Sequence, residues 1–94
     1  MMLEPLYARI KARLDQGDST SSYTARLAEQ GRERIVRKLS EESLETAMEF
    51  LRDDKEGLVR ESADLLYHLA VAWAVAGVTP SMIAEELERR QKRG

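Results

Sequence analysis

The chain has 94 residues, a length typical of a single domain, which we place over residues 1–94. Its 15 basic and 17 acidic side chains give a formal net charge of -2, so the basic surplus that nucleic-acid backbones require is missing and no nucleic-acid partner is expected. The sequence contains no cysteine, which excludes disulfides, thiolate metal sites and cysteine nucleophiles.

The N-terminal third is predicted to form two helices. Apolar side chains recur at helical spacing over about residues 3–15, which predicts a first amphipathic helix. Residues 16–22 are polar and predict a loop, and a serine in the last part of this loop can cap a short helix that begins near Tyr23. Gly31 is predicted to interrupt the chain after this short helix.

A long helix is predicted over about residues 32–52, followed by a turn over residues 53–57. At ~100° per residue, Glu42 lies on the border between a polar side, which includes Lys38 and Glu45, and an apolar side. The apolar side consists of Ile35, Val36, Leu39, Ala47, Phe50 and Leu51.

The next predicted helix, about residues 58–76, is apolar in every direction from Leu65 onward. Such a helix must be enclosed on all sides, and a monomer of this size has too few neighbouring elements to do so, so we predict a homodimer. Gly77 ends this helix, and Thr79-Pro80 predicts the start of a last one that runs to about residue 90. The predicted fold is all-α: an antiparallel bundle of four to five helices, completed by homodimerisation.

Membrane insertion and secretion are not expected from the sequence. The longest apolar stretch, residues 65–78, contains His68 and is shorter than the ~20 residues that span a bilayer. The first residues lack the apolar block of a signal peptide. We therefore expect a soluble, cytoplasmic protein with no membrane partner.

Four acidic residues form two helical pairs. Glu42 and Glu45 are three residues apart on one predicted helix, and Glu61 and Asp64 are three apart on the next, so each pair lies on one helix face. In an antiparallel hairpin, Glu45 and Glu61 would lie ~10 Å from the turn, and Glu42 and Asp64 would lie ~14 Å from it. The four carboxylates are therefore predicted to converge in one groove between the helices.

Four close carboxylates repel one another strongly unless a cation compensates them. An all-oxygen ligand set suits Mg²⁺, with Mn²⁺ as a substitute, and these ions usually share their coordination shell with water and substrate phosphates. A di-iron bundle would require two Glu-x-x-His motifs, whereas the chain has a single histidine, His68. The alternative that stays open is a solvated acidic face on which Lys38 pairs with Glu42.

Other residues near the acidic pairs have two interpretations each. Glu41 can orient or deprotonate a water, or it is an ordinary surface glutamate. Lys38 can meet a substrate phosphate as a point charge, or it is an intrahelical partner of a glutamate. His68 is predicted to be an interior histidine outside the site, and Trp73 and Met48 have the spacing of core residues.

Two segments resemble a known enzyme family. Residues 34–45 contain Lys-x-x-Glu-Glu within a basic and then acidic run, and residues 61–68 read Glu-Ser-Ala-Asp-Leu-Leu-Tyr-His. Glu-x-x-Glu, a gap that is here 15 residues, and then Glu-x-x-Asp is the signature of the all-α, MazG-like nucleoside-triphosphate pyrophosphohydrolases. With the upstream Ser22-Tyr23-Thr24 and Gly31, nearly the whole chain resembles the phosphoribosyl-ATP pyrophosphatases of histidine biosynthesis.

The resemblance implies an enzyme that hydrolyses the bond between the α- and β-phosphates of phosphoribosyl-ATP, giving phosphoribosyl-AMP and pyrophosphate. It implies that Glu41 helps to position the site and that Lys38 contacts phosphate. The residues that it assigns to Mg²⁺ are Glu42, Glu45, Glu61 and Asp64.

Two other functions stay open on the sequence alone. A house-cleaning nucleotide pyrophosphatase would apply the same chemistry to another nucleoside triphosphate. A non-catalytic helical dimerisation module would use the acidic groove to bind a basic partner. The spacing identifies no residue that recognises the ribose or the adenine, and the candidates are the Ser19–Thr24 loop and basic side chains of a second subunit.

Overall fold

The computed structural model describes residues 3–91 as five α-helices joined by short connections. No strand occurs in this range, so the predicted all-α fold is confirmed. Of the predicted domain, residues 1–2 and 92–94 lie outside the described range. The helices are α1 (Leu3–Gln16), α2 (Tyr23–Gln30), α3 (Arg32–Leu51), α4 (Lys55–Ala76) and α5 (Pro80–Gln91).

Local hydrogen bonds and glycines set most of the helix ends where the sequence predicts them. The Ser22 hydroxyl accepts a hydrogen bond from the Ala25 N–H at 3.1 Å and so caps α2. Gly77 follows α4 with a φ of 78°, a left-handed conformation that glycine adopts without steric cost. The Thr79 hydroxyl accepts from the Met82 N–H at 3.3 Å at the start of α5.

The turn between α3 and α4 is shorter than the sequence predicts. Instead of a turn over residues 53–57, α4 begins at Lys55. The reason is that the Asp54 carboxylate accepts a hydrogen bond from the Gly57 N–H at 2.9 Å, which makes Asp54 an N-cap and includes the next three residues in the helix. The hairpin is therefore tight, and the acidic residues of α3 and α4 face one another.

The core forms where α1, α2 and α3 pack around the C-terminal half of α4. Side chains from all four helices contribute to it, and the most extensive packing in the described chain is between α3 and α4. This packing fixes the relative position of the two helices that carry the acidic pairs. The buried members of the core are Ile10, Leu27, Ile35, Ala70, Val71 and Ala74.

Most of the apolar side of α3 is uncovered. Ile35 is buried and Leu39 is half-buried, but Phe50 is 74% exposed and its neighbours on this side are exposed as well. The face of α3 that packs on α4 is instead the face that carries Glu42. Leu44, which was not predicted on this side from the sequence, is exposed next to the uncovered residues. We call these uncovered residues the apolar stripe of α3; they are Val36, Leu44, Ala47, Phe50 and Leu51.

The predicted enclosure of α4 is likewise incomplete within residues 3–91. Val71 is fully buried and Leu65 and Leu69 are half-buried, whereas Leu66 and Val59 are exposed. Neighbouring helices of one chain thus cover only part of this apolar helix.

No single helix in the described chain has the length and hydropathy needed to cross a membrane. The pair formed by α4 and α5 meets these two criteria jointly, across a bend of 106°. That second result reflects length and composition alone.

Candidate functional site

Three of the four predicted metal ligands come together between α3 and α4. Glu42, Glu45 and Glu61 each have a carboxylate oxygen within 4.8 Å of the other two, and we call these three residues the acidic cluster. Glu42 is buried, with 7% of its surface exposed, while Glu61 is half-buried and Glu45 is exposed. Glu45 and Glu61 therefore lie at the same level of the hairpin, as their spacing predicts.

Asp64 lies at the edge of the acidic cluster. Its side chain is exposed and does not belong to the group of oxygens within 4.8 Å, but its negative charge contributes to raising the pKa of Glu61. Its backbone carbonyl accepts a hydrogen bond from Nδ1 of His68 at 2.9 Å, and the same nitrogen lies 3.5 Å from Oε1 of Glu42. Glu42 and Asp64 are thus at one level, and metal binding by Asp64 stays a prediction.

The environment of Glu61 suits a bound cation. Its pKa lies above the ordinary value, first because of a hydrogen bond with Glu45, then because of burial and the charges of Glu45, Asp64 and Glu42. Its Oε2 atom is buried and has no hydrogen-bond partner within residues 3–91. A cation would relieve both the repulsion and the unsatisfied oxygen, so the acidic cluster could bind a metal ion.

The raised pKa of Glu61 gives the metal-free protein a pH dependence of stability with a defined sign. Because the folded state holds this proton more tightly than the unfolded chain, the stabilisation is fully present below the unfolded pKa of 4.5 and is lost as pH rises through the folded pKa. In EDTA, we expect Glu61→Gln to raise the Tm at about pH 7 and to flatten the profile above the unfolded pKa. Thermal denaturation across this range measures it.

Asp18 provides the matched control for that profile. Hydrogen bonds from Thr20 and Ser21 lower the pKa of Asp18, so its stabilisation is present above the unfolded pKa of 3.8 and is lost as pH falls through the folded pKa. Asp18→Asn should therefore lower the Tm by a nearly constant amount above the unfolded pKa, with a difference that vanishes at lower pH, and should leave the slope of the profile near neutral pH as it is. An unchanged profile for Glu61→Gln would contradict the electrostatic description of the acidic cluster.

Glu41 and Lys38 lie outside the acidic cluster and pair with each other. The Lys38 Nζ atom is 3.6 Å from a Glu41 carboxylate oxygen, and 55% of the Glu41 side chain is exposed. The alternative pairing of Lys38 with Glu42 is not formed, because the Glu42 carboxylate faces His68 instead. The roles of Glu41 and Lys38 in the reaction stay predictions.

His68 lies at the site although the sequence interpretation placed it outside. It is buried, and its Nε2 atom is 2.9 Å from the Tyr23 hydroxyl of α2. The rings of Tyr23 and Tyr67 pack edge-on against it, with centroids 5.8 and 5.1 Å away. The available signal was its position four residues after Asp64, which puts it on the acidic face of α4.

The predicted Ser19–Thr24 loop includes the first two residues of α2, and several of its side chains contact other parts of the fold. Ser22 caps α2, Tyr23 contacts His68, and the Thr24 hydroxyl forms a hydrogen bond with the hydroxyl of Tyr67. The same segment lines an open cleft of about 270 Å³ whose opposite wall is α1. Recognition of the substrate by this loop stays a prediction.

Comparisons with known proteins agree over the whole described chain. A family model described as phosphoribosyl-ATP pyrophosphohydrolase matches residues 3–91. A protein of Azospirillum brasilense named phosphoribosyl-ATP pyrophosphatase is 46% identical over 90 residues, which cover 96% of this chain and 80% of the relative.

Relatives from other organisms carry the same name. The protein of Saccharolobus islandicus (strain L.S.2.15 / Lassen #1) is 44% identical over 91 residues, or 97% of this chain and 96% of the relative. The protein of Paramagnetospirillum magneticum is 47% identical over 89 residues, or 95% of this chain and 81% of the relative. The range matched by the family model thus spans both helices that carry the acidic cluster.

Proposed function

The chain belongs to the phosphoribosyl-ATP pyrophosphohydrolase family, and from this premise we propose that it hydrolyses phosphoribosyl-ATP to phosphoribosyl-AMP and pyrophosphate in the second step of histidine biosynthesis. The observation that carries the proposal is the family match over residues 3–91, together with relatives of that name at 44–47% identity. The acidic cluster supports it, because hydrolysis of a phosphoanhydride requires compensation of the phosphate charge.

The proposed cofactor is Mg²⁺, with Mn²⁺ as a substitute. Its proposed ligands are the acidic cluster and Asp64, all of which offer the carboxylate oxygens that these ions prefer. The buried Oε2 of Glu61 fits this assignment, because it lacks, among the described residues, the hydrogen bond that a buried oxygen normally has. When bound, the ion would neutralise phosphate charge and lower the pKa of a coordinated water.

The chain itself supplies a proposed base and a proposed phosphate contact. Glu41 is exposed beside Glu42 and can accept the proton of the attacking water. The water oxygen forms a bond to the α-phosphorus, the bond from that phosphorus to the bridging oxygen breaks, and pyrophosphate leaves. Lys38, one turn before Glu42, can contact a phosphate oxygen with its ammonium group.

The test is an assay of pyrophosphate release from phosphoribosyl-ATP with Mg²⁺, with Mn²⁺ and with EDTA. We expect release with either metal and only background with EDTA. Common nucleoside triphosphates are assayed in parallel, and we expect kcat/KM for them to be at least about a hundred-fold lower, because a site built for polar groups rejects substrates that lack them. Equal or higher values would favour the house-cleaning alternative, and no release from any nucleotide would favour the non-catalytic module.

We further propose that two copies form a homodimer through the apolar stripe of α3. Phe50 and Leu51 are about three-quarters exposed, and Leu44 and Val36 are exposed beside them. A contiguous apolar surface of this kind on a soluble protein typically marks a site of interaction with another protein. A second copy packed there would also help to enclose α4.

Sedimentation velocity on two matched variants tests the dimer. Ala47 lies in the apolar stripe and Ala12 lies on α1, and both side chains are exposed in a helix. Ala47→Glu should produce a monomer, because the interface would then bury an unpaired charge, whereas Ala12→Glu should sediment like the unmodified chain. A monomeric unmodified chain, or an Ala47→Glu variant that still dimerises, would reject this interface.

We propose that residues 1–94 act as one domain in the cytoplasm. Its proposed substrate is derived from ATP, an intracellular nucleotide. The near balance of acidic and basic side chains supports the absence of a nucleic-acid partner. No membrane partner is proposed.

A further inference from the structure

His68 connects the acidic cluster to α2, a helix that carries none of the proposed metal ligands. One ring nitrogen, Nδ1, lies 2.9 Å from the Asp64 carbonyl oxygen and 3.5 Å from the Glu42 carboxylate. The other, Nε2, lies 2.9 Å from the Tyr23 hydroxyl. Both nitrogens of this buried imidazole are therefore engaged, one toward α3 and α4 and one toward α2.

The hydrogen-bond partners define which nitrogen carries the proton. A backbone carbonyl can only accept, so Nδ1 of His68 must donate to Asp64. In the neutral ring, Nε2 then accepts from the Tyr23 hydroxyl. With both nitrogens bonded and the rings of Tyr23 and Tyr67 packed nearly perpendicular to it, the imidazole is fixed with its Nδ1–H edge toward Glu42.

Glu42 depends on this edge for electrostatic support. Its carboxylate is buried beside Glu45 and Glu61, and negative charges at such short range disfavour one another. Within residues 3–91, Nδ1 of His68 at 3.5 Å is the one basic nitrogen within 4 Å of it, and no side chain forms a hydrogen bond with this carboxylate. Among the described residues, the Nδ1–H group of His68 is therefore the group that attracts the Glu42 carboxylate.

We propose that His68, held by Tyr23, is a positioning residue that fixes the Glu42 carboxylate for metal binding. This inference rests on the proposed function, because it assumes a cation in the acidic cluster. Residues that orient metal ligands from outside the coordination shell typically change metal affinity about 10–100-fold when they are replaced. A histidine that merely fills the core would change the stability of the fold and leave metal affinity as it is.

Two replacements of His68 distinguish the contributions of its two ring nitrogens. In His68→Asn the side-chain amide takes the position of Nδ1 and can still donate toward Asp64 and Glu42. In His68→Gln the amide takes the position of Nε2, so the link to Tyr23 survives and the donor near Glu42 is lost. Tyr23→Phe removes only the hydroxyl that holds Nε2, and Tyr67→Phe is its control, because the Tyr67 hydroxyl contacts Thr24 and not His68.

The experiment measures Mn²⁺ binding to the full chain by the electron paramagnetic resonance signal of the free ion. Relative to the unmodified chain, His68→Gln should weaken binding about 10–100-fold, and His68→Asn should stay within about threefold. Tyr23→Phe should weaken binding severalfold, and Tyr67→Phe should leave it unchanged. In the pyrophosphate assay, the Mg²⁺ concentration for half-maximal rate should rise in the same order, with a smaller change in kcat at saturating Mg²⁺.

Two results would overturn the inference. One is equal Mn²⁺ affinity for His68→Gln and the unmodified chain, with only the Tm lowered. The other is Tyr23→Phe and Tyr67→Phe having the same effect on binding. If the unmodified chain binds Mn²⁺ but releases no pyrophosphate from phosphoribosyl-ATP, the proposed function fails while the order of the Mn²⁺ affinities still supports the positioning role. Absence of Mn²⁺ binding to the unmodified chain would overturn both.

Discussion

Replacing Glu42 with glutamine is expected to lower kcat for pyrophosphate release by at least about a hundred-fold at saturating Mg²⁺. Metal ions stabilise the transition state of phosphoryl transfer by several kcal/mol, and each 1.36 kcal/mol lost corresponds to about a factor of ten in rate. Glutamine has nearly the size of glutamate but no charge, so the packing of this buried side chain is preserved while the proposed ligand is lost.

The same substitution should not destabilise the metal-free fold. Removing one of three carboxylates that lie within 4.8 Å of one another relieves repulsion, so the Tm in EDTA should be equal to or higher than that of the unmodified chain. Mg²⁺ should raise the Tm of the unmodified chain more than that of Glu42→Gln, because binding to the folded state alone stabilises it. Activity and stability thus change in opposite directions.

Glu33→Gln is the matched control for Glu42→Gln. Glu33 lies on the same helix, is exposed in the first turn of α3 and has no proposed role in the reaction. This variant should keep kcat within about twofold of the unmodified chain, as expected for a surface change. If Glu42→Gln retained metal-dependent pyrophosphate release, the acidic cluster would not be the catalytic centre.

The hairpin and its acidic pairs were predictable because they depend on local chain geometry. The distances of Glu45 and Glu61 from the turn place them opposite each other. The separation of three residues within each acidic pair places both of its members on one helix face. The caps at Ser22 and Thr79 also follow from side chains that bond to a backbone N–H within three residues. Interactions between residues this close along the chain can be predicted from the sequence pattern.

Features that depend on distant partners were not predictable in the same way. The contact between His68 and Tyr23 joins positions 45 residues apart, and no periodicity records it. The early start of α4 was missed for a different reason: the Asp54 cap is a local contact, but several polar residues in the same turn compete for the cap position. The residues of the apolar stripe of α3 other than Leu44 were assigned to one apolar side, but spacing cannot tell whether the chain itself or a second copy covers them.

Leu27→Ala is expected to lower the free energy of unfolding by about 2–5 kcal/mol. Leu27 is 1% exposed and belongs to the core formed by α1, α2, α3 and α4. Its truncation removes apolar contacts and leaves a cavity that the surrounding helices fill only in part. A chain of this length has a total stability on the order of 5–14 kcal/mol, so the loss is a large fraction of it. Urea denaturation followed by circular dichroism measures the change.

Leu44→Ala separates core packing from the proposed dimer. Leu44 has the same side chain but is 64% exposed in the apolar stripe, so the same truncation within a single chain should cost less than about 1 kcal/mol. If the stripe is the interface, the cost of Leu44→Ala should grow as protein concentration rises, because dimer stability is linked to concentration by mass action. The cost of Leu27→Ala should stay nearly constant over the same range. Burial within one chain does not depend on dilution, whereas burial between two copies does. Equal losses of unfolding free energy for the two variants at every concentration would therefore contradict the assignment of Leu27 to the core and of Leu44 to an interface.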